Sequence, residues 1–138
     1  MKELLILLRS MQIFAQSAHH LCKGQSFHED HSFFGDTYEA VAGDFDDLAE
    51  RIIGLYGEEH LQLQPLMAAV VQKLADAPSV GVESNKVYYS YRLKMEENMC
   101  KLAEQIIAAG VYPGTEQLIG DMANKAEMRK YKIKQRLK

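Results

Sequence analysis

Helical periodicity in the apolar residues most strongly limits what this sequence can fold into. Over residues 27–56, apolar side chains recur every three or four positions, which places them on one stripe about 100° wide along an α-helix. No stretch alternates with period two for long enough to predict a strand. The pattern therefore predicts an all-α protein. The members of the stripe are Phe34, Tyr38, Val41, Phe45, Leu48, Ile52 and Leu55.

Four long helices and one short helix account for the whole pattern. A capping box of Ser26 and Glu29 is expected to open the second helix, and Gly57 to close it. Ser84 is a plausible N-cap for the third long helix. The short apolar helix bridges the second and third long helices, so we expect a four-helix bundle. The helices are predicted at about residues 2–22, 27–56, 65–76, 84–110 and 115–137.

Length and composition place the chain among single globular domains. With 138 residues, one domain spanning 1–138 can bury one core. The apolar run at residues 4–8 is too short for a membrane span and lacks a cleavage site after it. Cys22 and Cys100 lie far apart without a metal-binding spacing, which favours free thiols in a reducing compartment. We therefore expect a cytoplasmic protein that does not enter a membrane.

Charge is distributed unevenly along the chain. The net charge is −3, so the molecule as a whole does not attract nucleic acid. Residues 29–50 carry many acids and no Lys or Arg, whereas residues 125–138 carry seven basic residues and one acid. The basic end of the last helix is therefore expected to lie at the surface or to contact another subunit.

Candidate metal ligands are concentrated in the first half of the chain, where four of the five histidines lie between His19 and His31. Mixtures of imidazole and carboxylate suit iron, manganese or zinc. On the second helix, Asp36, Asp44, Asp47 and Arg51 are predicted opposite the apolar stripe. The candidate ligands lie on the flank between these two faces and are His31, Glu39, Asp46 and Glu50.

Two readings of these residues remain open from the sequence itself. The histidines could be hydrogen-bonded at a helix interface and the acids could form a solvated face, or together they could bind metal. The Glu-x-x-His spacing of di-iron bundles does not occur in this chain. Its absence counts against a metal pair inside one bundle.

Two segments of the sequence resemble a known family. The run AHHLCKGQSFHEDH at residues 18–31, followed by Phe34 and by DDLAER at 46–51, resembles the Dps family of miniferritins, the DNA-binding proteins from starved cells. GTEQL at residues 114–118, with Tyr131 downstream, is similar to the turn into the family's last helix and to an aromatic residue within it.

This resemblance implies a ferritin-like four-helix bundle with a short extra helix between helices 2 and 3, assembled as a hollow homododecamer. It also implies a ferroxidase centre at each two-fold interface, with histidines from one chain and carboxylates from its mate. The corresponding residues here are His19, His31, Asp46 and Glu50. Gly35 stands where the family has an aspartate, and the candidates to replace that ligand are Asp36, Glu39 and His28.

The function implied by the resemblance is iron(II) oxidation by hydrogen peroxide or oxygen, with storage of the ferric product and protection against oxidative damage. Zinc and manganese also suit the ligand set. Because Gly35 removes one ligand, the alternative is a catalytically weakened shell protein with a structural, metal-sequestering or DNA-associated role. Family members that bind DNA commonly use a lysine-rich tail. The helical pattern here begins near Met1, so we expect only weak DNA binding, through the basic C-terminal helix.

Overall fold

The computed structural model describes residues 1–138 and contains helices but no strands, which confirms the all-α prediction. The long helices agree with the predicted bounds to within two residues. The short helix begins earlier than predicted, because Pro65 occupies its first turn, where no backbone N–H is needed. The helices are α1 (Lys2–Leu21), α2 (Phe27–Tyr56), α3 (Leu63–Lys73), α4 (Asn85–Ala108) and α5 (Pro113–Leu137), with a 3-10 turn at Glu59–Leu61.

Both helices begin where the serine caps predicted, but the predicted hydrogen bonds from the serine side chains are absent. Neither Ser26 nor Ser84 makes a side-chain hydrogen bond to its helix. Ser26 has φ −94° and ψ 20°, so it is not in the extended conformation that directs a cap oxygen at the first turn. Instead, the first turn of α2 is closed by the backbone, where the N–H of Asp30 donates to the carbonyl of Ser26.

Helix directions follow from two contacts between helix ends. The backbone N–H of Lys23 donates to Asn85 at 3.2 Å, so α2 and α4 begin at the same end of the molecule. Arg51 donates to Thr115 at 3.1 Å, so α5 begins where α2 ends. The molecule therefore consists of two helical hairpins, α1–α2 and α4–α5. The connection through α3, which packs against α1, returns along the length of the bundle.

A single cluster of 25 buried residues forms the core between the hairpins. The predicted stripe of α2 contributes Phe34, Val41, Phe45, Leu48 and Ile52 to this cluster. Leu55, in the last turn, is an exception and is 37% exposed at the wall of surface cavities. None of the helices combines the length and the apolarity that a membrane span requires.

Asp44 corrects the predicted polar face of α2. It is only 1% exposed and accepts a 2.6 Å hydrogen bond from Lys125 on α5. Arg51 is half-buried, whereas Asp36 and Asp47 are exposed as predicted. The apolar stripe identifies the side of α2 that faces α1 and the core. It does not show that α5 also covers the neighbouring side.

A second unpredicted feature is a buried ionic network between α4 and α5. Glu96 accepts from Arg92 at 2.8 Å and from Arg129 at 2.6 Å, and neither Arg92 nor Glu96 has any exposed surface. Arg92 also donates to the carbonyl of Met11 on α1. Arg92 and Glu96 follow the buried Tyr88 at intervals of four residues, which places all three on one side of α4. This spacing was a signal that Arg92 and Glu96 are buried.

Asp30 forms a third buried polar centre, where the beginnings of α2 and α4 meet the end of α5. It accepts hydrogen bonds from Asn85 and Tyr89 and a bidentate pair from Arg136 at 3.0 and 3.1 Å. Burial raises the pKa of the Asp30 carboxyl, but these donors outweigh it and hold the pKa below its usual value. Asp30 precedes Phe34 by one helical turn and so belongs to the apolar stripe. A charge in that position predicts a buried ion pair.

Candidate metal site

His19 and His31 are joined by two reciprocal hydrogen bonds between the last turn of α1 and the second turn of α2. The Nδ1 of His19 lies 2.6 Å from the carbonyl oxygen of His31, and the Nδ1 of His31 lies 2.7 Å from the carbonyl oxygen of His19. Because a carbonyl oxygen can only accept, each Nδ1 carries a proton and donates. In the neutral imidazole form, this proton on Nδ1 places the lone pair on Nε2. This is the arrangement that orients histidines for metal binding.

The two imidazoles are stacked as well as hydrogen-bonded. Their centroids are 3.7 Å apart and their planes are inclined by 19°. Phe27 stacks on His31 at 4.9 Å, and Tyr38 approaches His19 edge-on at 5.5 Å. His31 is therefore held between two rings, and the orientation of the pair is set before any ligand arrives.

Gly35 lies one turn after His31 and directly against the ring of His19. A Cβ atom at position 35 would lie 2.9 Å from both Cε1 and Nδ1 of His19, closer than van der Waals contact permits. The imidazole of His19 therefore occupies the space that a side chain at position 35 would need. In this conformation the site has no room for the carboxylate that the resemblance leads one to expect there.

Asp46 and Glu50 lie one turn apart on α2, so both carboxylates point to the same side of the helix. Both are exposed, and neither forms a hydrogen bond or salt bridge within the chain. Arg9 on α1 lies over the ring of Phe45 at 3.7 Å. Burial lowers the pKa of Arg9, and the negative charge of Asp46 partly offsets this shift. One of the two candidate carboxylates thus has a cation nearby.

The remaining predicted ligands do not approach the histidine pair closely enough to complete a site. Asp36 and Glu39 are exposed, and His28 is exposed with its ring edge-on to Phe27 at 5.4 Å. No three side chains of His, Cys, Asp or Glu in the chain are grouped so that they could hold a metal ion. The chain by itself therefore does not bring a complete set of metal ligands together.

Cys22 lies beside the histidine pair, and its thiol is hydrogen-bonded to the backbone of α1. Its Sγ donates to the carbonyl of His19 at 3.7 Å. Burial raises the pKa of this thiol, and the negative charge of Asp30 raises it further. A thiol binds metal as the thiolate, and both effects disfavour that form.

Comparison with known proteins adds no relative. No protein-family model matches this chain, and no curated protein matches it either. Membership of the Dps family therefore stays a resemblance, carried by the motifs around His19, His31 and Asp46.

Proposed function

We propose that this chain is a Dps-like miniferritin that oxidises iron(II) and stores the ferric product, at sites formed between two copies of the chain. The observation that carries the proposal is the reciprocal hydrogen bonding of His19 and His31, which protonates both Nδ1 atoms and leaves both Nε2 atoms free to bind a metal. The helix directions, with a connection that returns along the bundle, also agree with the resemblance.

The proposal places Asp46 and Glu50 of one chain opposite the histidines of another. Their exposure and lack of partners within the chain leave them available for such a contact. Two carboxylates stabilise iron(III) more than iron(II), because the added positive charge strengthens each interaction. One molecule of hydrogen peroxide would take one electron from each of two iron(II) ions and, with two protons from solvent, leave as two water molecules. Iron is the substrate of this reaction, and zinc and manganese would compete for the same donors.

Gly35 supports a second candidate function, a shell of the same kind that sequesters metal or serves a structural role but oxidises iron slowly. The space at position 35 is filled by the ring of His19, so one anionic ligand of the expected set is absent. Fewer carboxylates stabilise iron(III) less, which lowers the driving force for oxidation.

An iron-oxidation assay separates these candidates. The double variant Asp46→Asn, Glu50→Gln should lose most of the activity of the wild-type protein. The control Asp47→Asn removes an adjacent exposed charge from the same helix and should keep that activity. If wild-type protein does not accelerate iron(II) oxidation, or if the double variant is as active as the control, the ferroxidase proposal fails.

A measurement of molecular mass tests the shell that both candidates require. Twelve chains of 15.7 kDa give an assembly of about 190 kDa. A monomer or a simple dimer in solution would contradict both candidates, because a closed cage could not form.

DNA binding remains a proposal for the weaker, DNA-associated role. Three of the basic residues of the last helix, Lys125, Arg129 and Arg136, pair with acids inside the molecule. The lysines without such pairs are Lys130, Lys132, Lys134 and Lys138. Twelve copies of this set would add avidity, and binding should fall steeply with salt. A gel shift that is absent even at low salt would exclude this role.

A further inference from the structure

A cavity of about 520 Å³ opens between α3 and α4, beside the first two turns of α1. Both helices pack on α1 but not closely on each other, so part of the surface of α1 stays open between them. Ala69 and Ala75 line this cavity, and their methyl groups leave space that longer side chains would fill. The volume lies within the range of roughly 300–1,000 Å³ that small-molecule sites occupy.

The cavity has an apolar inner wall and a charged rim. Ile6 of α1, Ala69 of α3 and Leu102 of α4 are half-buried and form the inner wall. Glu3 and Asp76 are exposed and supply carboxylates at the rim. An aliphatic chain gains free energy when such a wall covers it, and a carboxylate at the edge favours a cationic group next to that chain.

The carboxylates of the rim are not neutralised within the chain. Lys73 also lines the cavity, but it forms no salt bridge with either of them. Asp76 instead accepts a 3.0 Å hydrogen bond from the hydroxyl group of Tyr91, whose ring packs against Phe14 at 4.8 Å. This neutral donor restricts the orientation of the carboxylate and leaves its charge in place. Asp76 is therefore an oriented anion beside an apolar wall.

We infer that this cavity binds an aliphatic amine, with the ammonium group held by Asp76 and the alkyl chain lying along Ile6 and Leu102. The two carboxylates and one ammonium group that line the cavity favour a cation over an anion. The cavity lies beside the start of α1, whereas His19 lies in its last turn. It uses none of the candidate iron ligands, so this inference goes beyond the proposed function and stands or falls separately from it.

A titration of the full-length protein with three probes of equal chain length tests the inference. The probes are hexylamine, hexan-1-ol and hexanoate near neutral pH, and the methyl resonances of Ile6 and Leu102 in NMR spectra report binding. Hexylamine should shift both sets of resonances and reach saturation. Hexan-1-ol lacks the charge and should bind at least about tenfold more weakly, and hexanoate should bind most weakly of the three. The inference is overturned if the three probes bind equally, if hexanoate binds most tightly, or if none shifts these resonances.

Two substitutions should change hexylamine binding in opposite directions. Asp76→Asn keeps the shape of the side chain but removes its charge, and should weaken binding by about tenfold. The matched control is Asp121→Asn, which removes an exposed charge on α5 away from the cavity and should bind as the wild type does. Lys73→Met removes a like charge and should tighten binding about twofold to threefold, a gain that a damaged fold would not produce. If Asp76→Asn binds hexylamine as tightly as Asp121→Asn, or if Lys73→Met binds it more weakly than the wild type, the cavity is not a site for amines.

Discussion

Replacement of Glu96 by glutamine should be among the most destabilising single substitutions in this protein. Glu96 is the only acid in the buried network, and it accepts three hydrogen bonds from the guanidinium groups of Arg92 and Arg129. Burial lowers the pKa of Arg92 and the charge of Glu96 opposes this shift. The Nη2 atom of Arg92 already lacks a partner. The network therefore has no spare acceptor.

The expected cost follows from the charges that Glu96→Gln would leave behind. Removing one partner of a buried ion pair typically costs about 3–5 kcal/mol, because an uncompensated charge remains in the interior. Glutamine keeps one acceptor oxygen, so we expect the lower end, about 3 kcal/mol. Since domains of this kind unfold with roughly 5–15 kcal/mol, the loss would be a large fraction of the total stability.

Urea unfolding, followed by circular dichroism at a fixed protein concentration, measures this difference. The matched control is Glu97→Gln, an exposed neighbour on α4, which should change the free energy of unfolding by less than about 0.5 kcal/mol. A triple replacement, Arg92→Met, Glu96→Leu, Arg129→Met, should come close to wild-type stability, because it removes the charges together. If Glu96→Gln lies within about 1 kcal/mol of Glu97→Gln, this account of the network is wrong.

Three further predictions address other parts of the molecule. Gly35→Ala should lower the free energy of unfolding by about 1–2 kcal/mol, because the added methyl group overpacks against His19. Gly43→Ala should raise the free energy of unfolding by roughly 0.5–1 kcal/mol. Equal effects of the two substitutions in urea unfolding would contradict the contact at position 35. The pKa of Asp30 is lowered in the folded state. Its contribution to stability is therefore complete above the ordinary aspartate pKa of about 4 and is lost as the pH falls through the lowered folded pKa. Between about pH 5 and about pH 2, the free energy of unfolding should fall less steeply in Asp30→Asn than in the wild type or in the exposed control Asp36→Asn. Burial, assisted by the hydrogen bond to Asp76, raises the pKa of Tyr91 to about 12. Tyr91→Phe should accordingly remove one ionisation near that pH from an absorbance titration, and a loss near pH 10, about the ordinary tyrosine value, would refute the assignment.

The candidate site was predictable in part. The spacing of His19, His31, Asp46 and Glu50 identifies residues of the right chemistry on the flanks of two helices, and the glycine at position 35 is visible in the sequence. The stacking of the two rings was not predictable. It depends on the distance between α1 and α2 at the point where Gly35 lets them approach.

By itself the sequence determined the helices and the side of α2 that faces the core, because helix formation and amphipathic burial depend on residues three and four apart in one segment. Only the tertiary structure decided which charges are buried. Asp30, Asp44 and Glu96 each pair with a cation from α5. In the pair of Asp44 and Lys125, the two residues are 81 positions apart in the sequence. Periodicity describes one helix at a time. Whether a charge on its flank meets water or a partner depends on which other helix packs there.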